Sequence, residues 1–329
     1  MLISILLLLL GFAILIKGAD LLVGGASSIA KKNGISNIAI GLTVVAFGTS
    51  LPEMIVSLFS AFNGKPDAAF GNVVGSNIFN VLLILGIAGV IYPLVVQKNT
   101  VKYEVPISIL AIGLMFFLVN DQMIFDSGNN GLSRIDSGVL LIFFGLFLFY
   151  IYRTMSNEPD FSEEGSVKVY GTWVAIGMLI LGIGGLVLGG NLVIDNAIKI
   201  AKEFNLSDKL IGLTVLATGT SLPELATSAV AAFKKNTDIA IGNVIGSNIF
   251  NVFFILGVTG VVTPIPYNPN LNIDVMVVVG STLLLMIFMF TLNTRKLDRW
   301  EAAIMLVLYV AYMMYLIGSE TGLVEIATK

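Results

Sequence analysis

The segment GLTVVAFGTSLPE at residues 41–53 returns as GLTVLATGTSLPE at residues 212–224, with 11 of 13 positions identical. The segment GNVVGSNIFNV at 71–81 likewise returns as GNVIGSNIFNV at 242–252, with 10 of 11 positions identical. Both pairs are separated by 171 residues, so the chain contains an internal duplication. Because the similarity is concentrated in polar stretches while the apolar remainder differs, it favours a shared function over shared packing alone.

The composition around these repeats is that of a membrane protein. Of the 329 residues, 56% are apolar and only 12% are charged, and the mean hydropathy is +0.94. A soluble protein of this length carries about twice that share of charge. The apolar residues form long blocks rather than short alternating strands, which favours helices over a transmembrane barrel. We therefore predict an all-α integral membrane protein.

Apolar blocks of about 17–25 residues, the length that a bilayer requires, occur ten times. The predicted spans are 2–30, 35–61, 69–96, 104–120, 137–153, 172–201, 207–233, 240–263, 274–292 and 301–318. They group into a first five-helix repeat at 1–153, a cytoplasmic linker at 154–171 and a second five-helix repeat at 172–329. Because five is odd, the second repeat enters the membrane from the opposite face, which predicts an inverted repeat.

The charges of the loops predict the orientation in the cell membrane. One set of predicted loops carries eleven Lys and Arg residues, whereas the opposite set carries six. Positive charge accumulates on the cytoplasmic side, so both termini are predicted to be extracellular.

Several classes of function are excluded or disfavoured by missing residues. The chain has no Cys and no His, which removes thiolate chemistry, imidazole metal ligands and His-based catalysis. It also lacks a phosphate-binding GxxxxGK[ST] loop, and it has no basic patch for nucleic acid. We predict no enzymatic activity, no cofactor and no obligatory protein partner. The expected surroundings of the protein are the lipid bilayer.

Each copy of the first repeated segment places a carboxylate, Glu53 or Glu224, inside a predicted membrane helix. Such carboxylates are costly in hydrocarbon, so they indicate a functional site rather than a structural contact. Pro52 and Pro223 lie beside them, and a proline within a helix removes a backbone hydrogen bond. The helices are therefore predicted to break near the midplane, where the released carbonyl groups would line a cavity.

The second repeated segment adds amide and hydroxyl oxygens with a spacing of four. They belong to Asn72, Ser76 and Asn80 and to their counterparts Asn243, Ser247 and Asn251. Oxygen ligands without nitrogen or sulfur favour a hard cation such as Ca²⁺, and the same oxygens could hold Na⁺.

For some polar residues a structural role is the simpler expectation. Ser57, Ser60 and Ser228 are expected to bond to their own helix backbone. Asp20 is expected to pair with Lys17, and Asn72 and Asn243 could serve as ligands or join neighbouring helices.

The duplicated GTSLPE and GNV[VI]GSNIFN motifs resemble the sodium/calcium exchanger branch of the cation/Ca²⁺ exchanger superfamily, of the prokaryotic type. The resemblance covers essentially the whole chain, and it implies alternating access and electrogenic exchange of Na⁺ for Ca²⁺. It also implies that Glu53, Glu224, Thr49 and Thr220 bind Ca²⁺. The flanking Na⁺ sites and the central amide pair that it implies comprise Ala46, Ser50, Ser76, Ala217, Ser221, Ser247, Asn80 and Asn251. Some members carry Asp where this chain has Asn251, and Asn there argues against K⁺ dependence.

Three other functions stay open at this point. The first is a H⁺/Ca²⁺ antiporter of the same fold, in which the two glutamates would carry protons. An intramembrane protease would use an Asp dyad, whereas this pair is Glu with Asn neighbours. A channel would favour symmetry about the membrane normal, which an inverted repeat lacks.

Overall fold

The computed structural model describes residues 2–121, 123, 130–154, 168–203, 217–291 and 295–321, and almost all of these residues are helical. We number the helices in chain order. They are α1 Leu2–Asn33, α2 Asn37–Thr49, α3 Leu51–Phe62, α4 Pro66–Ile91, α5 Thr100–Val119, α6 Arg134–Thr154, α7 Thr172–Glu203, α8 Leu222–Phe233, α9 Thr237–Val262, α10 Pro269–Phe288 and α11 Arg299–Thr321.

Eight of these helices are long and apolar enough to cross a membrane, and α2 with α3 forms a ninth candidate span, bent by 48°. These nine correspond to nine of the ten predicted spans. The remaining one, predicted at 207–233, is described only from residue 217, where helical residues Ala217–Gly219 precede α8. The span predicted at 69–96 is too long, because α4 ends at Ile91. Residues 155–167 of the predicted linker lie outside the described residues.

Among the described residues, four helices contain a stretch of π-helix, which the sequence patterns did not predict. The stretches are Gly41–Val45 in α2, Phe79–Ile84 in α4, Thr100–Glu104 in α5 and Phe250–Leu256 in α9. A π-helical turn inserts an extra residue and rotates the side chains that follow, and such turns are frequent at functional sites.

Short antiparallel strand pairs join distant connecting segments. Strand β1, Leu94–Val95, pairs with β4, Lys296–Leu297. Strand β2, Gly131–Leu132, pairs with β3, Ile265–Pro266. Each pair holds two connections together at one end of the helix bundle.

Helices α4 and α9 form the centre of the bundle, and α9 is almost entirely buried. The peripheral helices turn apolar side chains outward. On α6, for example, the exposed residues Ile142, Leu146 and Phe149 lie on one face of the helix. A bundle with such an apolar outer surface is suited to lipid rather than to water.

Helices α1 and α7 pack against each other in antiparallel directions through glycines. A Cβ atom added to Gly182 would lie 2.7 Å from the Leu22 backbone nitrogen, and one added to Gly189 would lie 2.7 Å from that of Leu15. These approaches are too close for any side chain, so the glycines allow the two backbones to touch.

Candidate ion-binding site

The two predicted carboxylates lie immediately after a break in the helical path. Helix α2 ends at Thr49, and α3 begins at Leu51 with Pro52 and Glu53 in its first turn. Helix α8 begins at Leu222 in the same way, with Pro223 and Glu224. Pro52 is tolerated in a first turn because the backbone N–H groups there have no partner within the helix. The predicted proline break is therefore present at Ser50.

Hydrogen bonds cross between the two halves at these carboxylates. The Ser50 hydroxyl donates to Glu224 Oε1 at 2.9 Å, and the Ser221 hydroxyl donates to Glu53 Oε1 at 2.9 Å. Both carboxylates are 1% exposed. Within the described part of the chain, neither has a Lys or Arg partner at ion-pair distance. Two buried carboxyl groups are therefore joined to one hydrogen-bond network without a protein cation.

Ser76 and Ser247 join the same network from the central helices. Ser221 Oγ lies 3.0 Å from Ser76 Oγ, and Ser50 Oγ lies 3.0 Å from Ser247 Oγ. Glycines bring these helices close, since a Cβ added to Gly246 on α9 would lie 2.7 Å from the Leu42 carbonyl oxygen on α2. The structure thus brings the predicted serines of both motifs into one cluster.

Asn72 and Asn243 hold the carboxylate-bearing helices against α4 and α9. Asn72 Nδ2 donates to the Glu53 carbonyl at 3.1 Å and to Ser57 Oγ at 2.9 Å. Asn243 makes the equivalent bonds to the Glu224 carbonyl, at 3.3 Å, and to Ser228 Oγ, at 2.9 Å. Of the two roles considered for these amides, the structure supports the joining of helices.

The expectation for Ser57 and Ser228 was wrong. Their hydroxyls lie near carbonyls of the neighbouring helix, Ala69 at 3.5 Å and Ala240 at 3.4 Å, rather than bonding within their own helix. Each hydroxyl also accepts a hydrogen bond from an amide of that neighbouring helix, so it joins the two helices.

Thr49 and Ala46 are mainly engaged with their own helix. The Thr49 hydroxyl lies 3.1 Å from the Val45 carbonyl and 3.0 Å from Asn243 Oδ1. The Ala46 carbonyl accepts the Ser50 N–H at 3.0 Å and the Thr49 hydroxyl at 3.2 Å. The Ala46 carbonyl, which the resemblance implies as part of a Na⁺ site, therefore also accepts two hydrogen bonds within the protein. Thr220 Oγ1 lies 3.3 Å from Asn72 Oδ1, and Ala217 is the first described residue of a helical segment before α8.

Two amides that were not among the predicted ligands complete the centre of the bundle. Asn251 Nδ2 donates to Asn77 Oδ1 at 2.9 Å, and Asn80 Nδ2 donates to Asn248 Oδ1 at 3.0 Å. All four amides are buried. Asn77 and Asn248 belong to the duplicated GSNIFN segment, so their repetition was a signal, although they fall outside the spacing of four.

Four buried oxygen atoms of predicted ligands accept no hydrogen bond from the described residues. They are Glu53 Oε2, Glu224 Oε2, Asn80 Oδ1 and Asn251 Oδ1. A buried acceptor without a donor is costly, and proteins rarely leave such groups together without a reason. Since these oxygens come in two pairs separated by 171 residues, both halves contribute equally to a set of atoms suited to a hard cation.

Comparisons with known proteins identify the family of the chain. The family model described as sodium/calcium exchanger protein matches residues 3–153 and 174–318. Sodium/calcium exchanger MaX1 of Methanosarcina acetivorans is 31% identical, over 95% of this chain and 98% of that protein. Inner membrane protein YrbG of Escherichia coli is 36% identical, over 82% of this chain and 83% of that protein. The solved structure of the sodium-calcium exchanger NCX_Mj superposes with a TM-score of 0.80 and 34% identity, covering 96% of this chain and 99% of that one.

The fold and the site define a multi-pass membrane protein of the exchanger type, whose relatives are transporters rather than enzymes. The chain belongs to the sodium/calcium exchanger family, as a member of prokaryotic type.

Proposed function

We propose that the protein exchanges Ca²⁺ for Na⁺ by alternating access at one site between two inverted halves. The observation that carries this proposal is the set of four buried acceptor oxygens, from Glu53, Glu224, Asn80 and Asn251, that lack donors among the described residues. A bound cation would provide a partner for acceptors of this kind. Sodium and calcium are the ions named for the family relative MaX1 and for NCX_Mj, which supports these two ions as substrates.

The charges explain why one site could serve both ions in turn. Two carboxylates neutralise one Ca²⁺, and Ca²⁺ takes about six to eight oxygen ligands in flexible geometry. In this proposal Glu53 and Glu224 bind Ca²⁺ together with the carbonyls of Thr49 and Thr220. The side-chain oxygens of Asn80 and Asn251 complete the Ca²⁺ ligands. Na⁺ would use Ser50 and Ser76 with Ala46, and Ser221 and Ser247 with Ala217. Without a cation the site would retain two buried negative charges. The change of access from one side of the membrane to the other would then be costly.

The strand pairs support the proposed ten spans and the inversion. Paired strands lie on one side of the membrane, so an even number of spans separates them. Between β1 and β4 the structure has five long apolar helices, α5, α6, α7, α9 and α10. Between β2 and β3 it has three, α6, α7 and α9. Both counts become even if the predicted span 207–233 crosses the membrane once, which brings the total to ten.

Other contacts support the same arrangement. With five spans in each half, equivalent helices run in opposite directions, and α1 and α7 are antiparallel. Ion-site hydrogen bonds also recur at an offset of 171 residues, as expected for two copies of one unit. The proposed halves are 1–153 and 172–329, and the loop charges favour an orientation with both termini outside the cell.

Calcium uptake into liposomes containing the purified protein tests the proposal. Vesicles would be loaded with Na⁺, K⁺ or choline at equal osmolarity, and with or without a pH gradient, before Ca²⁺ is added outside. We expect uptake only with internal Na⁺, and a larger rate when valinomycin and K⁺ clamp the membrane potential. Uptake driven equally by a pH gradient without Na⁺ would replace Na⁺ coupling with H⁺ coupling. Non-saturating flux that needs no counter-ion would instead indicate a channel.

A further inference from the structure

The buried amides Asn77 and Asn248 lie beside the proposed ion ligands but carry none of the unpaired ligand oxygens. Asn77 is on α4, three residues before Asn80, and Asn248 is on α9, three residues before Asn251. Each accepts a hydrogen bond from the ligand amide of the opposite half: Asn251 Nδ2 to Asn77 Oδ1 at 2.9 Å, and Asn80 Nδ2 to Asn248 Oδ1 at 3.0 Å. Each half therefore donates one side-chain amide hydrogen bond to the other half.

These contacts determine which end of each ligand amide is available to an ion. An asparagine side chain has one acceptor oxygen and one NH₂ group, and a 180° flip exchanges them. Holding the NH₂ group of Asn251 against Asn77 leaves Asn251 Oδ1 without a donor among the described residues, and the same holds for Asn80 Oδ1. A flipped amide would point N–H groups at the ion, and a cation is repelled by hydrogen-bond donors.

We propose that Asn77 and Asn248 are positioning residues, which fix the amides of Asn251 and Asn80 so that their carbonyl oxygens face the bound cation. The proposal rests on the ion site described above and adds the residues that orient it. Residues that orient a metal ligand typically change metal affinity by about 10- to 100-fold when they are removed.

The two positions differ in one respect. Asn77 Nδ2 donates to the backbone carbonyl of Asn248 at 3.3 Å, whereas Asn248 Nδ2 has no acceptor among the described residues. Asn77 is therefore anchored by α9, and its amide is the more firmly held of the two. Removing Asn77 should accordingly cost more fold stability than removing Asn248, although both should weaken ion binding.

The test measures Ca²⁺ affinity and thermal stability of the full-length protein in detergent. Asn77→Leu and Asn248→Leu remove the acceptor with little change in volume, and each is expected to raise the Ca²⁺ dissociation constant about tenfold or more. The matched control is Asn120→Leu. Asn120 is also buried and exchanges amide hydrogen bonds of 3.2 and 3.0 Å with Asn272, but it lies outside the ion site. It should lower the melting temperature without changing Ca²⁺ affinity.

A double-mutant cycle separates positioning from a general structural effect. If Asn77 acts through Asn251, then Asn77→Leu should have little further effect on Ca²⁺ affinity in a protein that already carries Asn251→Leu. Additive losses would overturn the proposal, as would an affinity unchanged by Asn77→Leu. If Asn77→Leu does not fold, Asn248→Leu with Asn80→Leu provides the equivalent cycle. Glu53→Gln distinguishes the two proposals. If Glu53→Gln leaves Ca²⁺ binding intact, the proposed site itself is wrong. If Glu53→Gln abolishes Ca²⁺ binding while Asn77→Leu and Asn248→Leu leave the affinity unchanged, only the positioning role fails.

Discussion

The starts of α4 and α9 carry the same contact in different surroundings. At the start of α9, Gln97 Nε2 donates to Asp238 Oδ2 at 2.7 Å, and both residues are buried. At the start of α4 the equivalent contact, Asn268 Nδ2 to Asp67 Oδ2, is 3.3 Å long and exposed. These four residues are related in pairs by the 171-residue offset. The starts of the two helices thus carry equivalent contacts, but only the contact at the start of α9 is buried.

The difference comes from residues outside the duplicated motifs. Lys234, in the turn before α9, forms a 2.6 Å ion pair with Asp20 of α1. Asn236 Nδ2 donates to Ser27 Oγ of α1 at 3.0 Å. The equivalent positions at the other end are Asn63 with Asn191, and Lys65 with Ile198, which cannot form these contacts. Helix α1 therefore closes the α9 end through side chains that the other half lacks. In the orientation proposed above, the covered end faces the cytoplasm.

The proposed ion site is shared equally between the two halves, so the largest effects should be symmetric. Glu53→Gln and Glu224→Gln should each reduce Na⁺-driven Ca²⁺ uptake by about 100-fold or more, because one carboxylate leaves a divalent charge unbalanced in a buried site. Uptake into liposomes measures the effect, and an unchanged melting temperature confirms that the variants fold. A variant that retained near-normal uptake would remove its half from the site.

Much of this site follows from the sequence, whereas the asymmetry does not. The duplication located Glu53, Glu224, Asn80 and Asn251, because polar residues repeated at one offset within apolar helices are rarely kept for packing alone. It could not reveal which end is covered, since identical motifs carry no signal for a difference between them. Nor could it anticipate that Ser57 bonds across to the next helix, because that depends on how closely the two backbones approach.

The reactivity of an introduced cysteine should differ strongly between the start of α4 and the start of α9. The native chain has no Cys, so Ala68→Cys and its equivalent Ile239→Cys would each provide the single thiol. Ala68 is exposed and Ile239 is fully buried. A membrane-impermeant thiol reagent should modify position 68 about 100-fold faster, because position 239 becomes reactive only after an opening motion.

The same reagent applied outside intact cells should reach position 68 if the proposed orientation is right. Reaction of both variants after denaturation is the control for intrinsic reactivity. Equal rates in the folded protein would mean that the two ends are equally accessible in the membrane.

Ser50 and Ser221 provide a test in which the halves should again behave alike. Each hydroxyl donates to the carboxylate of the other half, and Ser50→Ala or Ser221→Ala removes an oxygen that Na⁺ would use. Hydrogen bonds to charged groups contribute about 1.5–3 kcal/mol, so the Na⁺ concentration for half-maximal exchange should rise about tenfold or more. The Ca²⁺ affinity should change less, because both carboxylates remain. Equal losses for the two ions would make the hydroxyls a scaffold rather than Na⁺ ligands.

The smallest expected effect concerns the contact between α1 and the turn before α9. Asp20→Asn removes the partly exposed ion pair with Lys234, and such pairs contribute up to about 1 kcal/mol. In the Ile239→Cys background, the rate of thiol modification should therefore rise about two- to fivefold. Lys17→Gln is the matched control, since Lys17 also pairs with Asp20, at 3.3 Å, but not with the turn. A similar increase in both variants would assign the effect to surface charge rather than to closure.

Calcium titration by calorimetry at several Na⁺ concentrations tests the central claim, one shared site built from both halves, most directly. The account predicts one Ca²⁺ bound per chain, a dissociation constant that rises with Na⁺ as expected for competition, and loss of all binding in either Glu53→Gln or Glu224→Gln. Two Ca²⁺ ions per chain, with each substitution removing only one, would contradict it, because the halves would then bind separately.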